Sequence, residues 1–186
     1  MKLLESDPEF VAKRAARDEA LRKRREELSA DVAPVISDLN DLGISVKSLW
    51  QLVGSRPDQI RAIPVLLKHL PIPYLDANRE WIARGLALRE AIHAWPLLRA
   101  EYEKAPDESR FKDGLGDALA TMCDADHIEE VVEMIMDEAN GESRLMLLSA
   151  LKRSKSPIAR STIEKLRNDL TFAAEIASWK TSRTRG

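Results

Sequence analysis

Apolar residues recur along this chain at spacings of three and four, and over most of its length that pattern is itself repeated. Arg79 with Ile82 and Leu86 returns as Lys112 with Leu115 and Leu119, then as Arg144 with Leu147 and Leu151, in steps of 33 and 32 residues. A second series, Leu66, Leu98, Val131 and Ile163, marks core positions in the preceding helices at steps of 32, 33 and 32. A fixed period in this range is the signature of helical pairs that stack in a row, since one pair cannot bury its own apolar stripe. The first helix of each pair carries Ile63-Pro64-Val65-Leu66, Trp95-Pro96-Leu97-Leu98 or Ile128-Glu129-Glu130-Val131. Asp76, Glu108 and Glu142 fall where the second helices begin, where a carboxylate offsets the partial positive charge of free amides. A shorter fourth unit from Pro157 to about Lys180 closes with Ile176 and Trp179.

Upstream of the repeats the pattern changes. From Asp7 to about Leu28 the chain is charged and free of glycine, with Phe10, Leu21 and Leu28 as sparse apolar positions, which predicts a long solvated helix capped by Ser6 or Asp7, with Pro8 in its first turn. Val32, Val35, Ile36, Leu39 and Leu42 predict a buried helical face over 31–42 that Gly43 ends. Ser45 is placed to cap a short helix bearing Val46, Leu49, Trp50 and Val53, and the loop Gly54 to Asp58 separates it from the repeats. The expected organisation is a charged N-terminal helix (1–30), a helical cap (31–57), a repeat domain (58–180) and a disordered tail (181–186).

The proline of the first helix (Pro64, Pro96), the acidic residue at the turn and the basic residue of the second helix (Arg79, Lys112, Arg144) resemble the HEAT-like repeats of the armadillo superfamily over roughly residues 58 to 180. The third unit lacks the proline and the fourth lacks the basic residue. The resemblance implies an all-α fold, a short α-solenoid of about three and a half helical hairpins with an N-terminal helical extension. It also implies a scaffold or binding surface. A few such proteins are enzymes, among them phycobilin lyases and alkylpurine DNA glycosylases.

Composition agrees with helices packed through aliphatic stripes. Of 186 residues 44% are hydrophobic and 32% charged, with only 3 Phe, 4 Trp and 2 Tyr. The single cysteine, Cys123, cannot form an internal disulfide. No apolar stretch in Met1 to Phe10 is long enough for a signal peptide, and no run of about 18 apolar residues occurs, so the expected location is cytoplasmic, with no membrane span. Net charge is only -2, but Arg99 to Glu142 holds 14 acidic side chains against 4 basic ones.

Candidate chemistry is sparse. His69, His93 and His127 occur singly, and read as packing or surface residues. Asp113, Asp117, Asp124, Asp126, His127 and Glu130 could gather around a divalent cation, but no calcium loop or paired-histidine spacing accompanies them, and they read as a solvated acidic face. No glycine-rich phosphate loop is present, which argues against nucleotide binding. The basic run Arg22-Lys23-Arg24-Arg25 is offset by nearby carboxylates, eight Lys or Arg against seven Asp or Glu in residues 1 to 30, and no aromatic follows it to stack on bases.

The strongest functional pointer is positional: residues just after the basic position of each second helix are expected to face away from the core. That ladder contains Glu80, Trp81 and Arg84, then Asp113 and Asp117, then Met146, and predicts a partner surface anchored by Trp81. Trp50, Trp95 and Trp179 sit in apolar stripes and read as core. The expected function is a non-catalytic protein-binding module, of adaptor or inhibitor type, whose partner carries a basic patch. It needs no cofactor or metal. The rival readings are a nucleic-acid binder using the N-terminal helix and the repeat Arg/Lys residues, and a lyase-like enzyme.

Overall fold

The computed structural model describes residues 8–181, and every regular element among them is helical. Among the described residues the α-helices are α1 (Pro8–Asp41), α2 (Arg56–His69), α3 (Asp76–Gly85), α4 (Trp95–Lys104), α5 (Arg110–Met122), α6 (Ile128–Met136), α7 (Arg144–Arg153), α8 (Pro157–Leu166) and α9 (Ala173–Thr181). Among the described residues none of these helices is long and apolar enough to cross a membrane. The expected caps Ser6 and Asp7, and the tail beyond Thr181, lie outside the described residues.

Consecutive helices pack against each other, α2 with α3, α4 with α5 and α6 with α7, while α3 lies against α5 and α5 against α7. The apolar positions spaced by 32 and 33 residues explain this: Leu66, Leu98 and Val131 are each fully buried, as are Ile82, Leu115 and Leu147 opposite them. Removing such a side chain from water is worth about 1.5–3 kcal/mol, so these positions hold the helices together. The fourth unit is out of register. In α8 the buried positions are Ala159, Thr162 and Leu166 and Ile163 is only half-buried, while Phe172 and Ile176 are buried further on.

The second helices approach closely through glycine. A β-carbon on Gly114 would stand 2.7 Å from the Glu80 carbonyl oxygen, and one on Gly116 3.0 Å from Met146 Cβ. Backbone polar groups are linked from unit to unit as well. Asp31 of α1 accepts the Leu75 N–H (2.9 Å) at the start of α3. Asp76 of α3 accepts the Arg110 and Phe111 N–H groups (3.0 and 3.1 Å) at the start of α5. Asp113 of α5 accepts the Ser143 hydroxyl (2.6 Å) at the start of α7. Asp76 therefore caps the next helix rather than its own. At α5 it works together with Ser109, whose Oγ accepts from Lys112 N, while Glu108 sits exposed at φ 61°.

Three expectations change. The two N-terminal helices are one 34-residue helix, because Ser29 and Ala30 offer no break in the hydrogen-bond ladder and Pro34 is accommodated within it. Gly43, at φ 71°, ends the turn that follows. The Ser45-capped helix is replaced by a 3-10 segment, Leu49–Gly54, whose three-residue period buries Leu49 and Leu52. That same period turns Trp50 out to 59% exposure, so this tryptophan is not a core residue. Trp95 is buried and Trp179 half-buried.

Candidate functional site: a tryptophan-lined cleft

A cleft of about 430 Å³ opens where α1 meets the 3-10 segment and the start of α3. Leu28 and Val32 of α1, Leu49 and Trp50 of the 3-10 segment and Trp81 of α3 form its apolar walls; Arg25, Lys47 and Arg110 supply cationic groups. Its position follows from the capping contact described above. Asn78 is buried, and its amide donates to the Leu28 carbonyl and to Asp31 Oδ2, both at 2.8 Å. Trp81 follows Asn78 by three residues on the adjoining face of α3, so the clamp that ties α3 to α1 also sets the indole on the wall of the cleft between them. Among the described residues Arg25 and Lys47 have no carboxylate partner. Arg110 is held, its Nε 2.7 Å from Glu80 Oε2.

The six residues of the predicted ladder do not form one face. Glu80 is 7% exposed, enclosed by Arg84 (Nε to Oε1, 3.0 Å) and Arg110, and cannot offer its charge to a partner. Its Oε2 lies off the N–H direction of Arg110, so that oxygen has an ion-pair neighbour but no aligned hydrogen bond. Arg84 Nη1 also holds Asp117 Oδ2 at 2.8 Å. Asp113 is engaged by Ser143, and Met146 lies half-buried beside Gly116. The reason is the close stacking of α3, α5 and α7: positions one step after the basic residue lie on the flank against the neighbouring second helix. Of the six, Trp81 is the one that lines the cleft.

The repeated basic residues are interior too. Arg79 lies over the Phe111 ring (3.6 Å) and 3.6 Å from Glu101; burial lowers its proton affinity. Lys112 is 2% exposed over the Tyr102 ring and paired with Asp107 at 2.8 Å, and Arg144 lies over Phe172 and donates to the Gly141 and Ile135 carbonyls. These cations hold rings and loops together and are withdrawn from any phosphate ligand.

The titratable groups are dispersed. His69 Nε2 lies 2.8 Å from Asp38 Oδ2 and Nδ1 2.7 Å from the Tyr74 hydroxyl. This chain of bonds ties α1 to α2 and its following loop. His127 stacks on Trp95 and bonds Asp124 at 2.7 Å, and His93 is exposed elsewhere. Glu130 accepts from Trp95 Nε1 (2.9 Å) and pairs with Arg99. Burial pushes the Cys123 thiol up to about 11, which keeps it protonated. Among the described residues no three or more His, Cys, Asp or Glu are arranged to hold a metal ion.

Sequence reasoning missed Arg25, Leu28, Lys47 and Trp50 as cleft residues. Leu28 and Arg25 do carry a signal, for they precede Val32 by four and seven residues on the same helical face. Trp50 carries none, since its exposure depends on a three-residue rather than a 3.6-residue turn. Comparison with family models, with curated proteins and with solved structures returns no match to this chain.

Proposed function

We propose that this chain is a non-catalytic protein-binding module, a short stack of HEAT-like helical hairpins that captures a segment of another protein in the Trp50–Trp81 cleft. The observation that carries this reading is the pair of tryptophans in one apolar cleft, Trp50 at 59% exposure and Trp81 half-buried. Indole rings bury large area at small cost in side-chain entropy and dominate protein interfaces, where losing one typically costs 2 kcal/mol or more. The internal pairing of Glu80, Arg84, Asp113 and Asp117 moves the preference for a basic partner away from this face, and the cleft's own cations favour the opposite charge.

The test uses immobilised wild-type protein and the double variant Trp50→Ala/Trp81→Ala, compared by helicity and by the proteins each retains from lysate. The expected result is a set of proteins retained by wild type and lost, at unchanged helicity, by the variant. Identical retention by both overturns the assignment.

A further inference from the structure

Helix α1 carries one unbroken series at spacings of three and four: Phe10, Arg14, Arg17, Leu21, Arg25, Leu28, Val32, Val35 and Leu39. Its last three members are buried in the core. Its first five are bare, because every residue from Glu9 to Glu27 is exposed and this part of the helix projects by roughly 28 Å at 1.5 Å per residue. Leu28 and Arg25 line the tryptophan cleft, so the bare stripe runs directly into it.

The charges along the arm are sorted by face. Arg22, Lys23 and Arg24 pair with Glu19, Glu26 and Glu27 away from the stripe's centre line. On the stripe itself Arg14, Arg17 and Arg25 have no carboxylate partner among the described residues, and Asp18 at its margin pairs with none of them. Lys47 extends this unneutralised cationic row at the cleft mouth. The face thus alternates apolar anchors (Phe10, Leu21, Leu28) with unpaired cations, and it ends at two indoles.

Three occupants differ in fit. A second copy of the chain, laid along this face, would set arginines against arginines with the glutamates turned away. Nucleic acid would satisfy the cations but would leave Leu21 and Leu28 against phosphates, and with Phe10 at one end and Trp50 and Trp81 at the other the arm between them has no ring on which bases could stack in succession. A helix with an apolar stripe bordered by carboxylates satisfies both sets at once, leucine against leucine and carboxylate against guanidinium. We infer that the bare stripe of α1 and the adjoining cleft together receive an acidic amphipathic helix of a partner protein. This rests on the protein-binding reading and adds the partner's chemistry and its path across the molecule.

The test uses the full chain and fluorescently labelled, side-chain-stapled helices of about 20 residues. They share one leucine stripe and carry glutamate, glutamine or lysine along its borders. Fluorescence anisotropy at about 50 mM and about 300 mM salt is followed beside a single-stranded and a duplex oligonucleotide. The acidic helix is expected to bind about tenfold or more tighter than the neutral one, with the advantage shrinking at the higher salt. The triple variant Arg14→Glu/Arg17→Glu/Arg25→Glu, altered only at exposed positions, is expected to reverse the order in favour of the lysine helix. A misfolded protein could not produce that reversal. Equal binding of acidic and neutral helices, no binding of any helix, an oligonucleotide that outcompetes the acidic helix, or concentration-dependent dimerisation abolished by the triple variant each overturns the inference. The protein-binding reading is decided separately, by the loss or persistence of retained proteins in the Trp50→Ala/Trp81→Ala variant.

Discussion

The two halves of α1 are built on one spacing and meet opposite fates. In the C-terminal half Val32, Val35 and Leu39 point into α2 and α3 and are 5% exposed or less. In the N-terminal half Phe10 and Leu21 continue the same helical face and remain 42% and 46% exposed. A periodic pattern therefore encodes a face, and neighbouring helices decide whether that face is core. The half without neighbours replaces alternate apolar residues with arginine, which keeps it solvated while leaving a surface that another molecule can cover.

The sharpest way to break this comparison is to truncate one leucine in each half. Leu39→Ala should destabilise the protein by about 2–5 kcal/mol, since the cavity cannot collapse in a packed core. Leu21→Ala should shift stability by less than about 0.5 kcal/mol. Urea unfolding midpoints measure both, and similar losses at the two sites would mean that the arm is packed in solution.

Next in size is the absence of spare volume where the second helices stack. Gly114→Ala places a methyl group 2.7 Å from a backbone carbonyl, which cannot rotate away, and should cost about 1–3 kcal/mol. Gly54→Ala, with nothing within 4 Å of the new carbon, is the control and should be close to neutral. Thermal unfolding of the pair would expose a loosely packed α3–α5 contact if both variants melted alike.

The smallest effect separates the ionic links of the two halves. Hydrogen bonds from Lys68 first and His69 second hold the Asp38 carboxyl below the usual carboxylate range. A group whose folded value is depressed contributes stability above its unfolded value, about 4, and loses it as pH falls through the lower folded value. Wild type should therefore lose more stability than Asp38→Asn on acidification below pH about 4. The exposed pairs of the arm, such as Arg22–Glu19 at 2.8 Å, contribute little to global stability, and salt should weaken them further. Denaturant midpoints measured against pH for the two proteins check this. Parallel acid profiles would remove Asp38 from the account.

The buried positions of the middle helices were legible because their signal is local. The steps of 32 and 33 residues between Leu66, Leu98 and Val131 mark three fully buried positions. Ile82, Leu115 and Leu147 likewise share one interior. Of the residues expected on a partner surface, Trp81 lines the cleft. Glu80 was expected on a surface and is buried beside Arg84 and Arg110, while Asp117 keeps a partly exposed side chain that Arg84 engages, because the direction of a side chain at the flank of a helix depends on how near the next helix lies. Trp50 was expected inside and lies outside, because a 3-10 turn changes which residues share a face. Arg79, Lys112 and Arg144 were noticed as a repeated signature, but their service beneath aromatic rings requires partners up to 32 residues away in the chain, as Phe111 is for Arg79.

What the amino-acid sequence determined by itself was the all-helical class and the aliphatic interior. These depend on composition and on spacings within a few turns. The tertiary structure alone decided that α1 continues as a bare arm, that the acidic ladder is consumed in bonds between helices, and that two distant tryptophans meet in one cleft. Those outcomes turn on whether a second element lies within a few ångströms of a given face, and no property of that face alone sets the distance.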